Sequence, residues 1–102
     1  MEFQMDLKNK QGVIIIDGEI SLQQIKPLKK LFDQAMISTA RIMVDMDRAT
    51  YIDLSFLQLL YAAQKKCLEN KKLIIFKKTS LEQIRTCVAE AGFSHSIVIR
   101  HQ

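Results

Sequence analysis

Apolar and polar residues alternate at the start of the chain. Phe3, Met5 and Leu7 are separated by Gln4 and Asp6 and flanked by Glu2 and Lys8. A period of two is the pattern of a strand with one wet face, at an edge or outer position. Asn9-Lys10-Gln11-Gly12 reads as a turn and Val13-Ile14-Ile15-Ile16 as a buried strand, so the two runs predict an antiparallel hairpin. Asp17-Gly18-Glu19-Ile20 is expected to leave the sheet. Ser21 and Gln24 have capping-box spacing, and a short turn is expected from Ser21. Proline is uncomfortable in a helix interior, which places Pro27 as the first residue of the main helix. Leu28, Leu31, Phe32, Ala35 and Met36 then follow the spacing of one buried helical stripe.

Ile42-Met43-Val44 and Leu73-Ile74-Ile75-Phe76 are continuous apolar runs, as in strands covered on both faces. Between them Asp53 to Asn70 predicts a helix. Ser80 with Gln83 opens a third helix by the same capping logic, Gly92 closes it with Phe93 packing back, and Ile97-Val98-Ile99 is a candidate last strand. The order β-β-α-β-α-β-α predicts an α/β fold. Its sheet is mostly parallel with an antiparallel first strand, and its helices pack on the sheet. Neighbouring residues such as Ile14 and Ile15 point to opposite faces, so both faces read as apolar. Helices covering only one face would leave the other to a homodimer or another partner.

Composition narrows the class. With 102 residues the chain is read as a single domain, 1–102. Hydrophobic residues at 48% and charged residues at 25% exclude wholesale disorder. Cys67 and Cys87 are no disulfide framework, and no CxxC or Cys/His cluster offers a metal site; no cofactor is expected. No apolar run approaches the ~18 residues of a membrane span, and the first residues lack the apolar stretch of a signal peptide. The expectation is a cytoplasmic protein with free thiols and no membrane insertion. The net charge of +4 comes largely from lysines scattered in pairs, such as Lys65-Lys66 and Lys71-Lys72, without interleaved aromatics. Nucleic acid is therefore not an expected partner.

The informative stretch runs from Met43 to Leu68. Asp45 and Asp47 are read as the end of a strand, a short loop follows, and Asp53 starts a helix as a cap that accepts first-turn N–H groups. On a helical wheel Leu54, Phe56, Leu57, Leu60, Tyr61, Ala63, Cys67 and Leu68 fall on the inward half. Ser55, Gln58, Leu59 and Ala62 fall outward at the first turns, while Lys65, Lys66, Glu69 and Asn70 make the last turn charged. An outward face that is uncharged at one end and charged at the other fits a helix whose start meets a partner. Catalysis finds little support. Ser55 lacks the Gly-x-Ser-x-Gly surround of a nucleophile elbow, no glycine-rich loop cradles a phosphate, and the only histidines, His95 and His101, lie at the carboxyl terminus. A small hydrolase or transferase using Ser55 or a cysteine is the rival from another class.

Gly18-Glu19-Ile20, Ile42-Met43-Val44-Asp45-Met46, Ile52-Asp53-Leu54-Ser55-Phe56-Leu57, Leu73-Ile74-Ile75-Phe76 and Glu90-Ala91-Gly92-Phe93 resemble, in order and spacing, the STAS domain of bacterial anti-sigma factor antagonists. The resemblance implies a non-enzymatic interaction module whose partner is another signalling protein: a histidine-kinase-like ATPase, an anti-sigma kinase or a chemotaxis component. In that family the strand-to-helix junction reads Asp-Ser-Ser/Thr-Gly-Leu, and the hydroxyl after the Asp is phosphorylated by the partner kinase. This chain keeps the acid as Asp53 and the leucine as Leu57. Leu54 occupies the acceptor position and Phe56 the glycine position, so the phosphoswitch reads as degenerate. Ser55 matches the second hydroxyl and is the candidate phosphorylation site. The expected partner surface is Asp53, Leu54, Ser55, Gln58, Leu59 and Ala62, with Glu19 and Ser21 from the nearby loop. The Leu57–Ala63 run is similar to stand-alone STAS proteins of chemotaxis clusters. The small STAS subunit of lipid-transport ATP-binding-cassette complexes is the alternative.

Overall fold

The alternating first residues form strand β1 (Glu2–Asp6), which pairs antiparallel with β2 (Gln11–Ile20), Phe3 opposite Ile14 and Asp6 opposite Gln11. The structure, a computed structural model, describes residues 1–90; the side chains at 81, 83, 87, 88 and 90 lie outside the description. Gly12 is required in this hairpin, because a Cβ there would stand 2.6 Å from the Phe3 ring. Helix α1 (Ile25–Ser38) follows, then β3 (Arg41–Ile52), α2 (Leu54–Glu69), β4 (Leu73–Phe76) and α3 (Leu81–Glu90). The four strands lie in the order β1-β2-β3-β4, with β2, β3 and β4 parallel. This is the mixed α/β arrangement that the order of elements predicts. The candidate last strand at 97–99, the Gly92 cap, Phe93, His95 and His101 lie outside the described residues, as does the Cys87 side chain.

Three boundaries differ from the sequence reading. Asp17-Gly18-Glu19-Ile20 stays in the sheet: register shifts between Ile15 and Asp17 and between Gly18 and Glu19 absorb the extra residues, and Gly18 takes φ 72. Only a residue without Cβ adopts that angle cheaply, and the bulges return Ile20 to the core. Strand β3 likewise does not end at its acids; it continues to Ile52 because Arg48, Ala49, Tyr51 and Ile52 pair with the bulged half of β2. Pro27 is the third residue of α1, not the first. The first four N–H groups of a helix lack intrahelical acceptors, so proline loses no bond there.

One face of the sheet carries the core. Ile14, Ile16, Ile42, Val44, Met46, Ile74 and Phe76 meet Leu28, Phe32, Ala35 and Met36 of α1, Phe56, Leu57, Leu60, Ala63 and Cys67 of α2, and Ile84 of α3. The opposite face carries Val13, Ile15 and Met43, each half-buried, and the buried Ile75. At the far end of α2, Lys71 adopts φ 57 and the Lys72 N–H reaches the Cys67 carbonyl at 2.7 Å, turning the chain into β4. The Lys72 ammonium donates to the Met36 carbonyl near the end of α1, where a cation also opposes the helix macrodipole.

Asp45 and Asp47 are structural. Asp47 accepts from Thr79 Oγ1 at 2.7 and 2.8 Å, from Ser80 Oγ at 2.7 Å and from Lys77 Nζ at 2.8 Å. The buried Ser80 hydroxyl also accepts the Met46 N–H at 2.9 Å. Ser80 was expected to cap α3 with this hydroxyl; it ties α3 to β3 instead. The ammonium of Lys77, then the Ser80 and Thr79 hydroxyls, hold the Asp47 carboxyl down at about 2 from an ordinary 3.8. A depressed folded-state value stabilises the fold above the unfolded value, and that contribution is lost as pH falls from 3.8 towards about 2. Asp47→Asn is therefore expected to flatten the pH dependence of the melting temperature across this window. Ser80→Ala, which orphans the buried Met46 N–H, should cost about 1–3 kcal/mol by chemical denaturation. Asp47→Asn as acid-sensitive as the parent, or a neutral Ser80→Ala, would contradict the clamp.

Candidate interaction surface

Strands β2 and β3 end side by side, Glu19 opposite Tyr51 and Ile20 opposite Ile52. The next N–H, that of Asp53, still bonds the Ile20 carbonyl at 2.9 Å. Asp53 is extended (φ -85, ψ 160) and its carbonyl accepts the Phe56 N–H at 3.0 Å, closing the first turn of α2. It thus holds the capping position through its backbone. Its carboxylate accepts no first-turn N–H, which corrects the expected side-chain cap. The half-buried side chain leaves a negative charge at the amino end of the helix, where the macrodipole favours it.

Ser21 ends β2 and opens a 3-10 turn over Leu22–Gln24. The Gln24 side-chain oxygen accepts both the Ser21 N–H at 2.9 Å and its hydroxyl at 2.6 Å. Ser21 therefore shapes the turn beside α2, and Glu19 stands exposed on the preceding strand.

The expected surface residues separate into distinct environments. Leu54 is 47% exposed, although the wheel placed it inward. Gln58 and Ala62 are exposed as expected. Leu59 is half-buried and packs against the core, which corrects its placement at the centre of an outward patch. The cause is α1. Lys66, seven residues after Leu59 and on the same flank of α2, meets Asp33 of α1 at 3.7 Å, and a wheel drawn for one helix cannot register a neighbour beside it. Ser55 is half-buried, and its hydroxyl oxygen is shut off from solvent without a hydrogen-bond partner.

Two apolar residues missed in the sequence reading widen the surface. Leu22 is 72% exposed in the turn after Ser21, and Tyr51 is 53% exposed beside Glu19. Tyr51 was legible only to a reader who extended β3 past its acids. Leu22 opens the 3-10 turn, and no pattern in the sequence sets it apart from a core leucine.

Chemistry is sparse here. Among the described residues no group of three or more His, Cys, Asp or Glu side chains could hold a metal. Burial pushes the Cys67 thiol up, away from the reactive thiolate. No described helix is long and apolar enough to cross a membrane. A groove of about 450 Å³ lined by Asp33, Met36, Ile37, Lys66, Asn70 and Lys72 lies at the other end of α2. It is separate from the residues gathered at the start of that helix.

Comparison with known proteins places this geometry. The domain family described as "Mlab, STAS domain" matches residues 3–100. The structure is similar to that of the anti-sigma factor antagonist SpoIIAA in its unphosphorylated form, with a TM-score of 0.70, 13% identity, and coverage of 99% of this chain and 87% of that one. It is also similar to the Bacillus cell fate determinant SpoIIAA in the phosphorylated form, with a TM-score of 0.69, 15% identity, and coverage of 99% and 91%. No curated protein matches by sequence.

The orphaned hydroxyl gives a direct test of the helix start. Removing a buried polar atom that has no partner relieves a desolvation cost. Ser55→Ala is expected to leave stability unchanged or raise it by up to about 1 kcal/mol. A loss of 1 kcal/mol or more in urea unfolding would mean that the hydroxyl has a partner.

Proposed function

The chain belongs to the STAS-domain family, and from that premise we propose that it is a non-enzymatic protein–protein interaction module of bacterial signal transduction, resembling the anti-sigma factor antagonists. Its docking surface is the amino end of α2 with the adjoining ends of β2 and β3. Leu54, Leu22 and Tyr51 supply apolar contact. Asp53 and Glu19 supply charge, Gln58 and Ala62 extend the surface along the helix, and Ser21 and Leu59 hold it in shape from below. The partner is a cytoplasmic signalling protein, a kinase-like ATPase or a chemotaxis component. The observation that carries this reading is a large apolar side chain, Leu54, standing exposed at the family's phospho-acceptor position.

Leu54 has no hydroxyl to modify. Ser55 is the remaining acceptor, and its oxygen lies below the surface. A kinase reaches it only if the first turn of α2 opens. The contact is therefore read as constitutive, without the charge that phosphorylation adds to break it. Intact mass of the protein from its native cells tests this: an unmodified mass is expected, and a phosphorylated Ser55 would restore the switch.

The missing hydroxyl also favours a second reading, a permanent subunit docked on the ATPase of a lipid-transport ATP-binding-cassette complex. The two readings differ in the ATPase that copurifies.

Leu54→Lys places a charge at the centre of the surface while leaving the core untouched. It should weaken capture of the copurifying partner by at least about 2 kcal/mol, roughly thirtyfold, as truncation of an interface anchor does. Equal capture by a variant with unchanged circular dichroism would remove this surface from consideration.

A further inference from the structure

Three connections meet at one end of the sheet. Strands β2, β3 and β4 run parallel and begin level with one another, Gly12 beside Ile42 and Ile42 beside Ile74. The β1–β2 turn at 7–10, the α1–β3 link at 39–40 and the α2–β4 link at 70–72 therefore all lie beyond the amino ends of these strands, where α1 and α2 also finish. The Leu73 N–H bonds the Ala40 carbonyl at 2.9 Å, which ties two of the links together.

This end is both basic and apolar. Across residues 7–10, 37–41 and 68–72, Lys8, Lys10, Arg41, Lys71 and Lys72 stand against a single acid, Glu69. That surplus equals the net charge of the whole chain, +4. At the opposite end, residues 17–24, 47–53 and 77–80 hold four acids and three bases. Lysines scattered along the sequence are thus gathered by the fold. Lys72 keeps its charge here while donating to the Met36 carbonyl. Among the bases stand Leu7 in the hairpin turn, Ile37 in the last turn of α1 and Leu68 in the last turn of α2, exposed by 81%, 86% and 64%. They are three of the four most exposed large apolar side chains among the described residues.

We propose that this end of the molecule adsorbs to an anionic lipid surface. The bases meet the headgroup phosphates, and Leu7, Ile37 and Leu68 dip into the boundary with the acyl chains. Such binding scales with the apolar area buried plus the attraction to anionic lipid, and each lysine near the surface contributes roughly fivefold. The make-up of this end decides against other polyanions. Single-stranded nucleic acid is held by aromatic rings and arginines that stack on bases, whereas these segments contain one arginine and no aromatic residue. A protein partner is held by a central anchor seated in a pocket. Here three aliphatic side chains stand apart at three connections with bases between them, an arrangement that a fluid surface accommodates. The chain adsorbs without crossing, since no described helix is long and apolar enough to span a membrane.

The proposed docking surface lies at the other end of α2. That helix of 16 residues is ~24 Å long at 1.5 Å per residue, more than two Debye lengths of ~8–10 Å at moderate salt. The two ends therefore act separately, and the protein can rest on lipid while it holds its partner. Adsorption does not depend on what that partner is.

Flotation of the full chain with vesicles tests the proposal. Phosphatidylcholine vesicles carrying about a third phosphatidylglycerol should bind it at ~0.1 M salt, and pure phosphatidylcholine should not. Ile37→Gln with Leu68→Gln, both exposed, should weaken binding by at least about tenfold at unchanged net charge. Lys8→Gln with Lys71→Asn should weaken it by at least about tenfold as well; asparagine suits the left-handed backbone at position 71, φ 57. Lys26→Gln with Lys78→Gln removes the same charge at the far end and should leave binding within about twofold. No flotation with the anionic vesicles, or equal flotation with pure phosphatidylcholine, would overturn the proposal. So would equal losses from the two lysine pairs, binding indifferent to the Ile37 and Leu68 pair, or a single-stranded oligonucleotide bound as tightly as the vesicles.

Discussion

One backbone hydrogen bond decides where the surface of this protein lies. The Asp53 N–H reaches across to the Ile20 carbonyl at 2.9 Å, and it does so because β2 and β3 stay paired up to Ile20 and Ile52. The last turn of the chain before α2 is thereby part of the sheet. Helix α2 begins at a fixed height and direction, with Leu54 outside and Phe56 and Leu57 inside. Had β3 stopped at its acids, five or six loop residues would separate sheet from helix, and the amino end of α2 would be free to wander. The strand extension therefore presents Leu54 and its neighbours in one fixed arrangement, at little further ordering cost to any contact made there.

The two acids of β3 belong to the same logic. Asp47 collects two hydroxyl donors and an ammonium from the segment between β4 and α3, and Lys77 bridges it to Asp45. Carboxylates at the far end of a parallel strand invite a functional reading, because ligands gather beyond the carboxyl ends of such strands. Here they are consumed in holding α3 to the sheet. What remains beyond the ends of β2 and β3 is an apolar tip with Asp53 and Glu19 beside it.

Much of this was legible in the residues. The period-two start, the continuous apolar runs and the helical stripe of α1 named their elements, because each pattern has one physical meaning. The order of elements then gave the sheet its topology. Asp17-Gly18-Glu19 misled as the point where the chain leaves the sheet, since a glycine-centred bulge and a glycine-centred exit share the same local chemistry and differ only in what pairs alongside. Pro27 misled for a related reason: the free N–H positions at a helix start number four, and proline fits several of them. The site was less legible. Leu59 and Leu54 exchanged places relative to the wheel because the wheel knows the helix axis and not the flank on which α1 lies. Ser80 carried the capping pattern of Ser with Gln three residues on, yet its hydroxyl was claimed by a strand distant in sequence.

Amide hydrogen exchange on the isolated protein measures directly whether the start of α2 is built into the sheet. The Asp53 amide should exchange as slowly as the amides of the paired half of β3, because opening it requires opening the sheet. An Asp53 amide that exchanges at the rate of the exposed turn between β1 and β2 would mean that the tip is not held in place. The preorganised surface would then not exist.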